Sequence, residues 1–203
     1  YLALSPDLLF EPGPFLVCYG RRRGSKMVTP DFVEAVRVAV GTGRCTQDPG
    51  ALEKYGADAS RCTGFAELVV RPETTKQISA IAGLCDRHRV PLTVRGGGTG
   101  YTGGAVPANG GVVITMERFT RILEIDEINL LAVVEPNVVT GDLQHAVESI
   151  GLFYPPDPAS LDRCAIGGNI AECAGGPRAF KYGTTKRYVL GLEAVLATGE
   201  IIQ

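Results

Sequence analysis

The chain contains no tryptophan, only two methionines and two histidines, and no Cys-x-x-Cys pair among its six cysteines. His88 and His145 stand far apart, and the thiols are scattered at positions 18, 45, 62, 85, 164 and 173. The spacing of a metal site is therefore missing, and none is expected. A disulfide framework fits a chain of 203 residues poorly when no secretory pattern precedes it, so the cysteines read as reduced, mostly buried thiols. No apolar run approaches the length of a transmembrane segment. Charge of one sign is not in surplus: 20 Lys and Arg against 22 Asp and Glu give a net charge of −2, which removes the electrostatic case for nucleic acid.

Glycine and proline are abundant instead, at 26 and 13 residues. The densest stretch is VRGGGTGYTGGAV, Val94 to Val106, with glycines at 96, 97, 98, 100, 103 and 104. Glycine costs backbone entropy wherever it sits, so such a run is either a tether or a place where main chain comes close to something else. The flanks PLTV and GVVITM read as buried strands, which argues against a tether.

Along the chain, residues 1–28 read as an extension of unknown role. Its basic cluster, Arg21 to Arg23, follows the apolar residues, the reverse of a signal peptide, and is read as a solvated charge run. This pattern and the free thiols set the expectation of a cytoplasmic protein, with a membrane-peripheral or mitochondrial home left open. TPDFVEAVRVAVG predicts a helix capped by Thr29 or Asp31 with Phe32, Val33, Val36 and Val40 on one face. ELVVRP, TTKQISAIAGLCDRHR and PLTVR make a strand, a helix with a capping box at Thr74 and Gln77, and a parallel strand. ILEIDEINLLAVVEP reads as an antiparallel hairpin turning at Asp126 to Asn129. TGDLQHAVESIG reads as a capped helix, and LEAVLA and EII as strands. The fold class is α+β, in two subdomains at 29–118 and 119–203, the second incomplete.

Gly98, Gly100 and Gly103 spell a literal GxGxxG after a strand, with Glu117 near the distance of a ribose-binding acid. A Rossmann loop must open a crossover helix, yet only eight residues, Pro107 and the turn NGG among them, lie between Gly103 and Val112, and no helix fits. What remains is a nest. Consecutive residues able to take positive φ turn several N–H groups toward one anion, and Gly96, Gly97, Gly98, Thr99 and Gly100 form a cradle for a pyrophosphate. A second cluster, PPDPASLDRCAIGGNIAECAGG, stiffens its approach with prolines and then supplies small residues against which a flat ring can lie.

These segments, with YGADAS, VVRPETTKQI, VEPNV and KYGTT in the same order, resemble the PCMH-type FAD-binding domain of the vanillyl-alcohol oxidase family. Among its branches they most resemble the glycolate oxidase flavin subunit and the D-lactate and D-2-hydroxyglutarate dehydrogenases. The resemblance covers about residues 31–203. It implies that Gly104 and Ala105 join Gly96 to Gly100 on the FAD pyrophosphate. It also implies that Pro156, Asp157, Ser160, Cys164, Ala165, Gly168, Asn169, Cys173 and Gly175 line the flavin and its ribityl chain. Thr99 stands where some relatives carry a tethering histidine, so noncovalent FAD is expected; Cys173 stands where relatives often have Asn.

By the same resemblance the whole protein oxidises a small 2-hydroxy acid of the glycolate or D-lactate type by hydride transfer to flavin, with an iron–sulfur or other electron-acceptor subunit as partner. The alternative is a cap-less FAD-binding or electron-transfer subunit. The chain is expected to be truncated before the substrate cap that carries catalytic groups, so no catalytic residue is assigned. His88 and His145 read as surface residues, and Lys181, Lys186 and Arg187 as a solvated face before an anion-steering one.

Overall fold

Thr29 caps the first helix because its hydroxyl accepts the Phe32 amide, while Pro30 at the first helical position gives up no needed N–H. The computed structural model describes residues 28–203; the apolar stretch, Cys18 and the Arg21 to Arg23 run of the N-terminal extension lie outside the described residues. Helix α1 (Pro30–Val40) buries Phe32, Val33, Val36 and Val40, the face its period predicts. Strand β1 (Cys45–Thr46) and the short helix α2 (Pro49–Glu53) follow, then β2 (Leu68–Val70). Helix α3 (Thr75–His88) starts on the Thr74 hydroxyl and buries Ile78, Ile81, Ala82 and Cys85 against α1. Burial pushes the Cys85 thiol up to about 12, so it behaves as a small apolar group.

β3 (Leu92–Arg95) and β4 (Val112–Thr115) complete a four-stranded sheet in the order β1-β2-β4-β3. The strand–helix–strand reading holds for type and direction, but β4 sits between β2 and β3 and runs parallel to both. The connection from β3 to β4, residues 96–111, therefore joins parallel neighbours without a helix, a role usually given to a crossover helix. Central position explains why Val112, Val113 and Ile114 are all fully buried: both faces of β4 are covered.

β5 (Ile122–Asp126) and β6 (Leu131–Val134) form the expected antiparallel hairpin, and Asp126 holds the turn by accepting the Ile128 and Asn129 amides. Helix α4 (Thr140–Glu148) packs Leu143 and Val147 with Val138 and Ile166 in a separate apolar cluster. It has no side-chain cap. The capped helix expected over TGDLQHAVESIG thus lacks its cap, and the Thr140 hydroxyl is buried and serves the second glycine cluster. Helices α5 (Ile166–Ala171) and α6 (Ala179–Tyr182) precede a closing hairpin of β7 (Ala194–Val195) and β8 (Ile201–Ile202), whose Val195 returns to the first core.

Under the glycine-rich connection lies a polar cluster. Tyr55, 1% exposed, donates its hydroxyl to Glu117 Oε1 at 2.8 Å and accepts Arg71 Nη2 at 3.2 Å; Lys54 and Arg71 also approach the carboxylate. Burial alone would raise the Glu117 carboxyl, but the Tyr55 hydroxyl, Lys54 and Arg71 outweigh it and hold it below its ordinary value. A carboxyl with a lowered folded pKa stabilises fully above its unfolded value, about 4.3, and loses that contribution as pH falls through the folded one. The stability gap between wild type and Glu117→Gln in urea unfolding is thus constant from pH 7 to about 5.5 and closes in acid. A gap unchanged down to the acid limit contradicts this assignment.

Candidate functional site

The connection after β3 begins with three glycines, and the structure shows what requires two of them. A Cβ on Gly97 would overlap the Arg163 carbonyl oxygen, and one on Gly98, at φ +66, would overlap the Arg95 guanidinium. The first constraint is loop on loop. The second places a cation beneath the turn: Arg95 Nη1 donates to Ala57 O at 2.7 Å and to Ala105 O at 3.3 Å, and its guanidinium lies 5.9 Å from the centre of the Tyr55 ring. Arg95 thereby ties both ends of the glycine run to the loop after α2. No helix starts at Gly103; a turn from Gly103 O to the Val106 amide stands there.

Among the described residues, the amides from Gly96 to Tyr101 donate to no protein acceptor. Gly96, Gly98, Thr99 and Gly100 are half-buried and Gly97 and Tyr101 exposed, so the run offers main-chain donors that the protein does not use and that an anion can take. A cradle that a Cβ would fill and that lacks internal acceptors fits a diphosphate.

The second cluster packs directly on the first. A Cβ on Gly96 would meet the Ala165 Cβ at 3.1 Å, and Ala165 bridges Val139. Four of the expected lining residues are buried, Pro156, Cys164, Ala165 and Asn169, and the last three turn their side chains to the protein. Asn169 Nδ2 and Cys164 Sγ both donate to the Thr140 hydroxyl, at 2.5 and 3.2 Å, and the Thr140 amide donates to Cys164 O at 3.0 Å. Pro156 offers its carbonyl to Gln144 Nε2 at 2.7 Å. Asp157 accepts the Arg178 amide at 3.0 Å and pairs with its guanidinium, closing the cluster against 176–178. The Ser160 carbonyl accepts the Arg163 and Cys164 amides, leaving a half-buried hydroxyl.

Gly168 faces open space and Gly175 meets only ordinary contacts, so neither is glycine for internal packing. Cys173 is exposed at φ +50, with Sγ 3.2 Å from the Thr184 hydroxyl; that hydrogen bond and the nearby Lys186 lower its pKa. Gly104 donates its amide to Thr102 Oγ1 at 3.3 Å, beside Ala105. Thr99 is half-buried in the turn. His145, Lys181, Lys186 and Arg187 are exposed, and His88 edges onto Phe32 at 5.5 Å. Sequence reasoning missed Arg95, Thr140 and Gln144. The signal for Arg95 was its place, a lone cation at the last position of a strand entering a glycine run.

Comparison with known proteins decides what the two joined loops belong to. The sequence model of one family, described as an FAD binding domain, matches residues 66–203. The chain belongs to that family. It is similar to the glycolate oxidase subunit GlcD of Bacillus subtilis, 45% identical over 87% of this chain and 38% of that protein. It is also similar to the D-2-hydroxyglutarate dehydrogenase of Stutzerimonas stutzeri, 36% identical over the same shares of each. A solved structure of 4-ethylphenol oxidase from Gulosibacter chungangensis matches with a TM-score of 0.74 at 27% identity, over 90% of this chain and 36% of that one. The chain thus spans 38% of the length of the two curated relatives. As a PCMH-type FAD binding domain its cofactor is FAD, and the α+β class agrees with that of the family. Among the described residues no helix is long and apolar enough to cross a membrane.

The glycines sort into two kinds, and substitution separates them. Gly97→Ala and Gly98→Ala lose stability by about 1–3 kcal/mol, from overlap and, at Gly98, a left-handed backbone. Gly168→Ala keeps or raises the wild-type melting temperature, since it sits in open space within a helix. Thermal unfolding of the three variants checks this, and equal melting temperatures for all three contradict it.

Proposed function

We propose that this chain is the FAD-binding portion of an oxidoreductase that oxidises a small 2-hydroxy acid, of the glycolate or D-lactate type, by hydride transfer to flavin. The observation that carries the reading is the run of unpaired amides from Gly96 to Tyr101, pressed on the 163–165 backbone of a second cluster in a chain of this family. The substrate class follows the names of the relatives, a glycolate oxidase subunit and a D-2-hydroxyglutarate dehydrogenase. The subunit name of the first supports a multi-subunit assembly with an electron acceptor.

In this reading Gly96, Gly97, Gly98, Thr99 and Gly100, with Gly104 and Ala105, hold the diphosphate through main-chain donors. Arg95 fixes the turn from below and adds a positive charge within the same loop. Cys164, Ala165 and Asn169 set the backbone of the second cluster through Thr140, so that Ser160, Gly168, Cys173 and Gly175 border the ring system while Pro156 and Asp157 anchor the two ends of its loop. Bound FAD supplies a two-electron acceptor at its ring. Thr99 offers no nucleophilic imidazole, which supports noncovalent attachment. The two-subdomain division at 118/119 is part of the proposal, supported by two separate apolar clusters, the first drawn from residues up to 116 with Phe119 and Val195 joining it and the second wholly from residues 122–170.

Two measurements test it. The 203-residue chain takes up added FAD and releases it intact on denaturation, and the flavin absorbance of the longest natural form is bleached anaerobically by glycolate or D-lactate. A protein that binds no FAD, or whose bound flavin no 2-hydroxy acid reduces, contradicts the corresponding half.

A further inference from the structure

Glu172 follows the last residue of α5 and turns its carboxylate onto the glycine run. Its Oε1 accepts the Thr102 hydroxyl at 2.7 Å, and Thr102 Oγ1 in turn accepts the Gly104 amide at 3.3 Å. A Cβ on Gly100 would stand 2.8 Å from Oε1 and 3.0 Å from Oε2, and one on Gly104 would stand 3.4 Å from Oε1. The carboxylate is therefore in contact with the segment whose amides lack acceptors. Among the described residues no Lys or Arg forms an ion pair with it. Glu172 is solvent-exposed, and its carboxylate rests against a proposed diphosphate cradle with one hydroxyl as partner.

We infer that the Glu172–Thr102 clasp is an electrostatic gate on the glycine loop, which disfavours anionic ligands until the carboxylate swings away. This rests on the proposed placement of the FAD diphosphate against Gly96 to Gly100. Like charges a few ångströms apart repel even at an exposed loop, and salt weakens the repulsion. Opening the clasp also releases the Thr102 hydroxyl as an extra donor to a phosphate oxygen. Glu172 thus sets a preference by ligand charge: it works against a diphosphate and is indifferent to a flavin that has none.

The test titrates FAD and riboflavin into the full chain, in wild type, Glu172→Gln and Thr102→Val, following quenching of flavin fluorescence. Glu172→Gln keeps an acceptor for Thr102 and removes the charge, and an unchanged melting temperature confirms its fold. It binds FAD roughly tenfold more tightly than wild type at low salt, the gain shrinks as salt is raised, and riboflavin binding does not change. Thr102→Val, which breaks the clasp but keeps the charge, speeds FAD association relative to wild type and gains less affinity than Glu172→Gln, because the carboxylate is freed but not neutralised. If wild type binds FAD and Glu172→Gln binds it equally or more weakly, or tightens riboflavin by the same factor, the gate is overturned and the cofactor reading stands. If wild type takes up no FAD, both fall.

Discussion

The structure depends on one contact, the stacking of two chain segments with no more than the Ala165 methyl group between them. Residues 96–97 lie so close to 163–165 that Gly97 has no room for a methyl group beside the Arg163 carbonyl, and Gly96 meets the Ala165 side chain. Close approach of main chain to main chain leaves polar groups that secondary structure cannot pair. The second cluster resolves its share internally, through Thr140, Gln144 and Arg178. The first leaves its amides unspent, and in the proposed function that asymmetry is what suits it to a ligand. Rigidity on one side and unpaired donors on the other give a ligand a preformed surface, which lowers the ordering cost of binding.

Charge is arranged around this contact in layers. Arg95 lies under the loop and crosses to Ala57 and Ala105, with Tyr55, Arg71 and Glu117 behind it, so the positive group is fixed by a hydrogen-bonded cluster before any ligand arrives. Glu172 lies on the loop from α5, held by a single hydroxyl. A fixed cation and a loosely held anion on one loop are the elements of a site that can be both attractive and selective. The cation belongs to the stable sheet; the anion belongs to the end of a short helix.

Much of this was legible in the sequence, for reasons that differ by element. α1 and α3 announce themselves by period and by the Thr29 and Thr74 caps, because a helix is a local structure. The β5–β6 hairpin is marked by its polar turn for the same reason. The glycine run was readable as a close approach since few other roles use so much unrestrained backbone. Strand order was not readable: the insertion of β4 between β2 and β3, by a helix-free parallel connection, is decided by long-range packing that leaves no mark on 96–111 itself. α4 was read as a capped helix, but the structure shows no side-chain cap, and the sequence does not show that Thr140 at its start is buried. α5 was hidden because Gly167 and Gly168, poor helix residues, sit inside it. Arg95 and Glu172 look like ordinary charged residues until the fold brings Ala57, Ala105 and Thr102 to them.

Amide hydrogen exchange on the full chain, with and without saturating FAD, addresses the central proposition most directly. If the main-chain donors of the glycine run hold the diphosphate, protection appears at the amides from Gly96 to Tyr101, while the already bonded Cys164 and Asn169 amides change little. Tight FAD binding that leaves exchange across residues 96–101 untouched would place the diphosphate elsewhere and contradict the account.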